Sequence, residues 1–167
     1  EGQPGEIVHR GANAMPGYLK DPEATAAAQR FGWHHTGDLG QWGPGGQLMF
    51  LDRKKDMIKT GGENVASVKV EAVLLAHPGV AGVGVIGLPH PRWAEAVCAF
   101  VVKKPGAEVD EAALQTHCRQ HLGGFEVPKL IRFVEQLPAT STGKVQKHLL
   151  RREFEQIAAQ AWADEAA

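Results

Sequence analysis

Three polar segments carry side chains suited to binding a nucleotide or neutralising a phosphate. Asp38 follows Gly37, and a carboxylate beside a glycine stands where the backbone turns sharply and a ligand can come close. Residues 52–56 form the charged run Asp-Arg-Lys-Lys-Asp, and the hydroxyl-rich residues 138–144 end in Lys144. Taken singly, such segments are more often a turn, a solvated linker and a surface lysine, so their meaning depends on their combination.

The loop that ends in Lys144 differs from a phosphate-binding loop of the Walker type. A Walker loop has a glycine five residues before its second glycine and a Ser or Thr after its lysine. Pro138 and Val145 occupy those two positions here. The likeness is therefore superficial, and a single Gly-Lys pair does not decide the function.

A pair of glycines stands at the tip of a predicted β-hairpin over residues 57–65. Gly61 and Gly62 carry no side chain, so the backbone of this loop could approach a narrow ligand closely. The alternative is a hairpin turn that merely needs positive φ.

The histidines and cysteines do not predict a metal site or a disulfide. His117 and His121 lie four residues apart on a predicted helix, but no Glu follows the first His and no third ligand is evident. Cys98 and Cys118 form no CxxC pair and lie in apolar stretches. This pattern predicts buried thiols in a reducing cytoplasm.

The charge balance argues against nucleic acid and anionic membranes as partners. The 167 residues include 18 basic and 19 acidic side chains, which nearly cancel, so any phosphate must be bound locally. No apolar run approaches the length of a membrane span.

The elements that must position these residues fall into two parts. Up to about residue 52, Gly and Pro separate short strand-like stretches, with one short helical pattern at residues 22–30. Beyond residue 56 the pattern predicts the hairpin, buried strands at 80–88 and 95–102, a strand at 130–134 and three helices. The predicted fold class is α+β, with a central sheet flanked by helices and a preceding β-rich segment.

Local signals indicate where two of the helices begin. Ser67 is predicted to cap one helix and Asp110 the next, with Val109 and Leu114 placed as a hydrophobic staple. Gly123 and the glycine after it are predicted to end this second helix.

In their order and spacing, these segments resemble the C-terminal signature motifs of the adenylate-forming superfamily. This superfamily comprises acyl-CoA synthetases, peptide-synthetase adenylation domains and beetle luciferases. The similarity runs from about Gly5 to Arg151. The matching strings are Gly5-Glu6-Ile7, Gly17-Tyr18, residues 32–38, residues 52–65, Trp93 and residues 137–144. The form of residues 61–71 resembles the fatty-acid and acyl-CoA ligase branch.

The resemblance implies a two-step reaction. A carboxylic acid and ATP give an acyl-adenylate and pyrophosphate, and the thiol of CoA then displaces AMP to give acyl-CoA. By family position, Lys144 is the catalytic cation where the acid meets the α-phosphate, with Mg²⁺ on the phosphates. Asp38 matches the residue that accepts hydrogen bonds from the ribose hydroxyls, and Arg53 matches the residue that supports the same sugar.

The resemblance also implies a moving lid. Lys55 occupies the hinge about which the small domain swings between the two half-reactions. In the second state the loop of Gly61 and Gly62 is expected to line the CoA tunnel, with Lys59 close to the nucleotide.

The domain organisation follows from the same resemblance. Residues 1–52 are expected to be the β-rich end of the large adenylating domain, residues 53–160 the AMP-binding enzyme C-terminal (lid) domain, and residues 161–167 a frayed tail. The partner is then the protein's own N-terminal domain, which would bind most of ATP, AMP and Mg²⁺. The chain begins without methionine and runs directly into a strand, so it is expected to be a piece of a longer protein and inactive alone.

Four positions differ from the common family pattern. Lys69 stands where Glu is common and Glu126 where Lys is frequent, while Phe125 replaces tyrosine and Ala94 replaces glycine. None of them coincides with Asp38, Arg53 or Lys144.

The residues allow two interpretations. The chain is either the catalytic C-terminal part of an acid:CoA ligase, with a fatty acid as the expected substrate, or a free-standing lid-like module that binds a partner or a nucleotide without catalysis. Within the family, the peptide-synthetase and acyl-carrier-protein branches remain possible, and a carrier protein could replace CoA as acceptor.

Overall fold

The computed structural model describes residues 2–162, apart from the side chains of residues 156–161. The predicted frayed tail therefore lies mostly outside the described residues. The chain divides into two compact units, Glu1–Lys55 and Asp56–Ala167.

The first unit is a three-stranded antiparallel sheet with one short helix. Its elements are β1 (Gly5–His9), α1 (Pro22–Ala28), β2 (His34–Trp42) and β3 (Leu48–Arg53), and the strand order is β1-β2-β3. Helix α1 begins after Asp21, whose carboxylate accepts a hydrogen bond from the Ala24 amide at 2.9 Å. It ends at Ala28, two residues earlier than predicted. The sheet leaves several apolar side chains exposed, namely Val8, Trp42, Leu48 and Phe50.

The second unit is a five-stranded sheet with helices on both faces, which confirms the predicted α+β class. Its elements are β4 (Ile58–Thr60), β5 (Glu63–Val65), α2 (Ser67–Leu75), β6 (Val80–His90), β7 (Ala94–Lys103), α3 (Glu111–His121), β8 (Leu130–Phe133) and α4 (Lys147–Ala161). The strand order is β5-β4-β7-β6, and β8 pairs with β7 in parallel while the other pairs are antiparallel.

Strand β7 explains how one sheet supports two cores. Because successive side chains of a strand point to opposite faces, Val97, Ala99 and Val101 join the core that includes residues of α2 and α3. The alternate residues Ala96, Cys98 and Phe100 join the core that includes Leu150 and Phe154 of α4. The apolar runs of β6 and β7 are thus buried on both sides, as their composition predicts.

The helix boundaries confirm one predicted cap and correct another. Asp110 caps α3, since its carboxylate accepts from the Ala113 amide at 2.7 Å. Ser67 is not a cap but the first residue of α2, and its hydroxyl accepts a hydrogen bond from Lys147 Nζ at 2.6 Å. Helix α3 ends before the glycine pair, because Leu122 already has extended φ and ψ.

Two of the departures from the family pattern contact each other. Lys69 Nζ lies 2.6 and 2.8 Å from the two carboxylate oxygens of Glu126, whose side chain is buried and also accepts from the Gly123 amide at 2.8 Å. The two departures therefore form one ion pair rather than two isolated changes.

Reversing one charge of this pair is expected to destabilise the chain. In Lys69→Glu a second carboxylate faces the buried Glu126, and we expect a loss of about 1–2 kcal/mol, limited by the exposure of position 69. The double variant Lys69→Glu/Glu126→Lys should recover part of this loss, because it restores a pair of opposite charges. Recovery should be incomplete, because a lysine at position 126 cannot accept the hydrogen bond from the Gly123 amide. Urea unfolding of the two single variants and the double variant measures the coupling. Strictly additive effects would contradict an interaction between the two side chains.

Both cysteines are buried and free, as predicted. Desolvation raises the pKa of Cys98 to about 12 and that of Cys118 to about 11. Among the helices of the described residues, none has the length and apolar character needed to cross a bilayer.

Candidate functional site

A bulge in β2 determines where Asp38 points. Between the pairs Glu6–Leu39 and Val8–His35, β2 contains more residues than β1, so the ladder shifts its register at residues 36–38. Thr36 anchors this bulge, since its hydroxyl donates to the Ile7 carbonyl at 2.8 Å and accepts from the Asp38 amide at 3.1 Å. Gly37 has a φ of +74°, which a glycine tolerates without strain.

The bulge brings Asp38 against Arg53. The two residues are cross-strand partners in β2 and β3, and Arg53 Nε donates to Asp38 Oδ1 at 3.2 Å. Their side chains are 35% and 41% exposed, so both can still reach a ligand. Gly37, Arg53, Lys54 and Lys55 line a shallow depression next to this pair. A carboxylate beside a cationic depression suits a ligand that carries both hydroxyls and phosphates.

Glu6 supports the same region and was not predicted as a functional residue. Its carboxylate accepts from Lys54 Nζ at 3.0 Å and lies 3.2 Å from His35 Nδ1. The hydrogen bond from Lys54, followed by that from His35, holds the pKa of Glu6 below its usual range. The only sequence signal was the position of Glu6 within a family string, because its contacts are 29 and 48 residues away along the chain.

Lys59, Gly61 and Gly62 share one hairpin of the second unit. Strands β4 and β5 pair from Ile58–Val65 to Thr60–Glu63, so the two glycines form the two-residue tip. Their φ values are +58° and +87°, which explains the glycine pair as a requirement of the turn. The Gly61 amide donates to the Trp93 carbonyl at 3.0 Å, and the Lys59 amide donates to Glu95 Oε2 at 2.7 Å.

Trp93 holds the hairpin against the turn between β6 and β7. Its ring stacks on His90 with a centroid separation of 4.3 Å, and the Lys129 ammonium lies 4.6 Å from the ring centroid. Ala94, which follows the tryptophan, has a φ of +65°. This left-handed conformation costs a residue other than glycine about 1–2 kcal/mol, so the alanine is strained where the family pattern has glycine.

Lys144 lies at the exposed end of a loop that is closed by its own hydrogen bonds. Ala139 and Val145 form an isolated antiparallel bridge at its base, and the Gln146 amide donates to the Pro138 carbonyl at 2.8 Å. Within the loop, the Lys144 amide donates to Thr140 Oγ1 at 3.1 Å. The backbone of the lysine is therefore fixed while its ammonium faces solvent.

The loop is anchored to the second unit through Lys147, a residue that sequence analysis did not single out. Lys147 Nζ donates to Ser67 Oγ at 2.6 Å and lies 2.7 Å from Glu71 Oε1. One turn later, Arg151 Nη1 lies 3.0 Å from Asp56 Oδ1. The spacing of four residues, which places both cations on one face of α4, was the available signal.

The histidines of α3 contact one another but do not form a metal centre in the structure. His117 lies between His77 and His121, with centroid separations of 5.3 and 5.0 Å, and its Nε2 lies 2.9 Å from the Val73 carbonyl oxygen. Within the part of the chain that the structure describes, no group of three or more His, Cys, Asp or Glu residues is placed to hold a metal ion.

The predicted site residues thus fall into three groups. Asp38 and Arg53 contact each other in the first unit, whose last residue is Lys55. Lys59 and the two glycines share the β4–β5 hairpin of the second unit, whereas Lys144 lies on a different loop of that unit.

Comparison with known proteins finds one matching domain profile and several similar ligases. The sequence profile of the AMP-binding enzyme C-terminal domain matches residues 69–144. The chain is 46% identical to the peroxisomal trans-cinnamate:CoA ligase of Petunia hybrida over 88% of its length and 48% identical to the 2-succinylbenzoate–CoA ligase of Geobacillus kaustophilus over 92%. It spans only 26% and 30% of those two relatives.

Solved structures are also similar to this chain. ATP-bound MatB from Rhodopseudomonas palustris superposes with a TM-score of 0.88 at 39% identity, covering 94% of this chain and 31% of that protein. The amide bond synthetase McbA from Marinactinospora thermotolerans superposes with a TM-score of 0.83 at 42% identity, covering 92% of this chain and 32% of that protein.

Proposed function

We propose that the chain belongs to the adenylate-forming ligases and is the C-terminal part of an ATP-dependent acid:CoA ligase, because the profile of the AMP-binding enzyme C-terminal domain matches residues 69–144. The observation that carries this proposal is that relatives named as CoA ligases for different acids align over 88% to 92% of the chain. The exposed apolar face of the first unit's sheet, including Trp42 and Phe50, supports a further domain that covers it. Without that domain, the chain alone is expected to be inactive.

In this proposal Lys144 serves the first half-reaction. The carboxylate of the acid attacks the α-phosphorus of ATP, a new C–O–P linkage forms, and pyrophosphate leaves. Two anions are forced together in this step, so a preorganised ammonium lowers the energy of the transition state. The hydrogen bonds that fix the backbone of the loop support this role, because little reorganisation is then needed when charge develops.

Asp38 and Arg53 would hold the ribose of the nucleotide. A carboxylate has two oxygens, and each can accept a hydrogen bond from one of two neighbouring hydroxyls. Arg53 orients this carboxylate from one side and leaves part of it exposed. The cationic depression formed with Lys54 and Lys55 supports a phosphate-bearing ligand at the same place.

The second half-reaction would use the β4–β5 hairpin. The CoA thiol attacks the acyl carbon and AMP leaves, with Gly61 and Gly62 beside the pantetheine and Lys59 near the nucleotide. Lys55, the last residue of the first unit, is the proposed pivot between the two states. A hairpin tip without side chains suits a narrow thiol-bearing chain.

Mg²⁺ is expected on the phosphates of ATP, but the described residues offer no cluster of ligands for it. We therefore place its ligands on the proposed N-terminal domain. We propose a fatty acid as the substrate and the cytoplasm as the compartment. The free, buried thiols of Cys98 and Cys118 support a reducing compartment.

Replacing Asp38 tests the nucleotide site. We expect Asp38→Ala in the full-length protein to raise the KM for ATP about tenfold to a hundredfold, because a hydrogen bond to a charged group contributes about 1.5–3 kcal/mol. Pyrophosphate release across acids of increasing chain length gives the measurement and the acid preference together. The control is Asp21→Asn in the same unit, which keeps a good helix cap. An unchanged KM for ATP would contradict the assignment.

One observation favours a second acceptor. The similarity to an amide bond synthetase at 42% identity makes an amine a candidate for attack on the acyl-adenylate. Supplying CoA and simple amines separately to the full-length protein, and measuring AMP release, distinguishes the two acceptors.

A further inference from the structure

We propose that Lys147 is a positioning residue that ties the Lys144 loop to the segment carrying the Gly61–Gly62 hairpin, so that both move as one rigid body. The hydrogen-bond geometry of the described residues carries this inference. Its kinetic consequence rests on the proposed ligase function.

The Lys144 loop needs an anchor because its internal hydrogen bonds fix its shape but not its orientation. Its amides and carbonyls bond mainly to one another between Pro138 and Gln146. At its base, Val145 packs on β6, where a side chain on Gly84 would meet Val145 Cγ1 at 3.2 Å and Leu150 Cδ1 at 2.8 Å. This apolar contact lets the base approach the sheet closely, but a contact of this kind is not directional.

Lys147 adds the directional contact at the point where α4 begins. Its side chain is only 12% exposed, and its ammonium reaches both Ser67 Oγ and Glu71 Oε1 of α2. Glu71 Oε1 in turn accepts from the Val85 amide of β6 at 2.9 Å. The Lys147 ammonium therefore joins α4 to α2, and the Glu71 carboxylate joins α2 to β6.

The position of Ser67 extends this link to the hairpin. Strand β5 ends at Val65, and only Ala66 separates it from Ser67, the first residue of α2. A contact that holds Ser67 therefore holds the end of the hairpin. The loop proposed for the first half-reaction and the hairpin proposed for the second are thus fixed to each other.

If Lys147 only stabilised the fold, Lys147→Met should have the same effect on the Lys144 loop as loss of a neighbouring ion pair of α4. Arg151 makes a second partly buried ion pair from the same face of α4, to Asp56, one helical turn further from the Lys144 loop. Removing Arg151 should loosen the helix without releasing the loop base. Lys147→Met and Arg151→Met therefore form a matched pair.

Amide hydrogen exchange on the 167-residue chain tests the anchor without any assumption about activity. We expect Lys147→Met to speed exchange of the Gly143 and Gln146 amides at least tenfold relative to the unaltered chain. Arg151→Met should not speed it, and Lys147→Arg should restore protection. Glu71→Gln serves as a second variant if Lys147→Met does not fold. Unchanged exchange in both Lys147→Met and Glu71→Gln, or equal acceleration in Arg151→Met, would overturn the proposal.

Half-reaction kinetics of the full-length protein provide the second readout. We expect Lys147→Met to lower kcat for adenylation and for thioester formation about tenfold each, with less change in the KM for ATP, and Lys147→Arg to recover both. A loss confined to one half-reaction would contradict the rigid link. If the unaltered protein forms no acyl-adenylate, the proposed function fails, whereas the exchange result still decides the anchor.

Discussion

Replacing Lys144 with methionine is expected to slow acyl-adenylate formation about a hundredfold to a thousandfold in the full-length protein, because one preorganised group of this kind contributes about 3–4 kcal/mol. Methionine keeps most of the side-chain volume and removes the charge. The side chain is exposed and the loop is held by backbone hydrogen bonds, so stability should change by less than about 0.5 kcal/mol.

The measurement is ATP–pyrophosphate exchange, together with thioester formation from added acyl-adenylate. The second rate should be nearly unchanged, because the charge repulsion belongs to the first step. Lys104→Met, at an exposed position after β7, is the control for removal of a surface lysine. Undiminished adenylation by Lys144→Met would remove the central role assigned to this residue.

Gly62→Val is expected to slow thioester formation and to leave adenylation nearly unchanged. At a φ of +87° a β-branched residue is strongly disfavoured, so the hairpin tip should shift and the added methyl groups should narrow the proposed thiol path. A strain of about 1–3 kcal/mol corresponds to a decrease of about tenfold to a hundredfold in thioester formation. Adenylation should change little, because Lys144 lies on a different loop.

Rapid-quench measurement of the two half-reactions decides this prediction. Gly46→Val is the matched control: Gly46 has a φ of +73° and open space around it, and it lies in the turn between β2 and β3. If the two valine variants slow thioester formation equally, the effect is general strain rather than a property of the hairpin tip.

The residues in these two predictions could be identified from the sequence, because short-range signals predict the structure around them. Glycines with positive φ, a hydroxyl-rich loop and an Asp cap are short-range signals, so the hairpin, the Lys144 loop and the start of α3 were predicted correctly. The two-faced burial of β7 was likewise predictable from a continuous apolar run.

The contacts that position the site were much harder to predict. Ser67 was predicted to cap α2 because a hydroxyl near a helix start usually does so, yet its partner is a lysine 80 residues later. Lys69 and Glu126 appeared to be two independent departures from the family pattern until their side chains were found 57 residues apart in sequence and in contact in space. Local propensity carries no information about such long-range partners.

The two cysteines have a practical consequence for following the lid in solution. Maleimides and related reagents attack the thiolate, and burial keeps both Cys98 and Cys118 protonated near neutral pH. A single thiol introduced by Ser141→Cys, on the exposed part of the Lys144 loop, would therefore take up a fluorophore almost alone. The described residues thus leave the introduced thiol as the reactive site for fluorescent labelling of the lid.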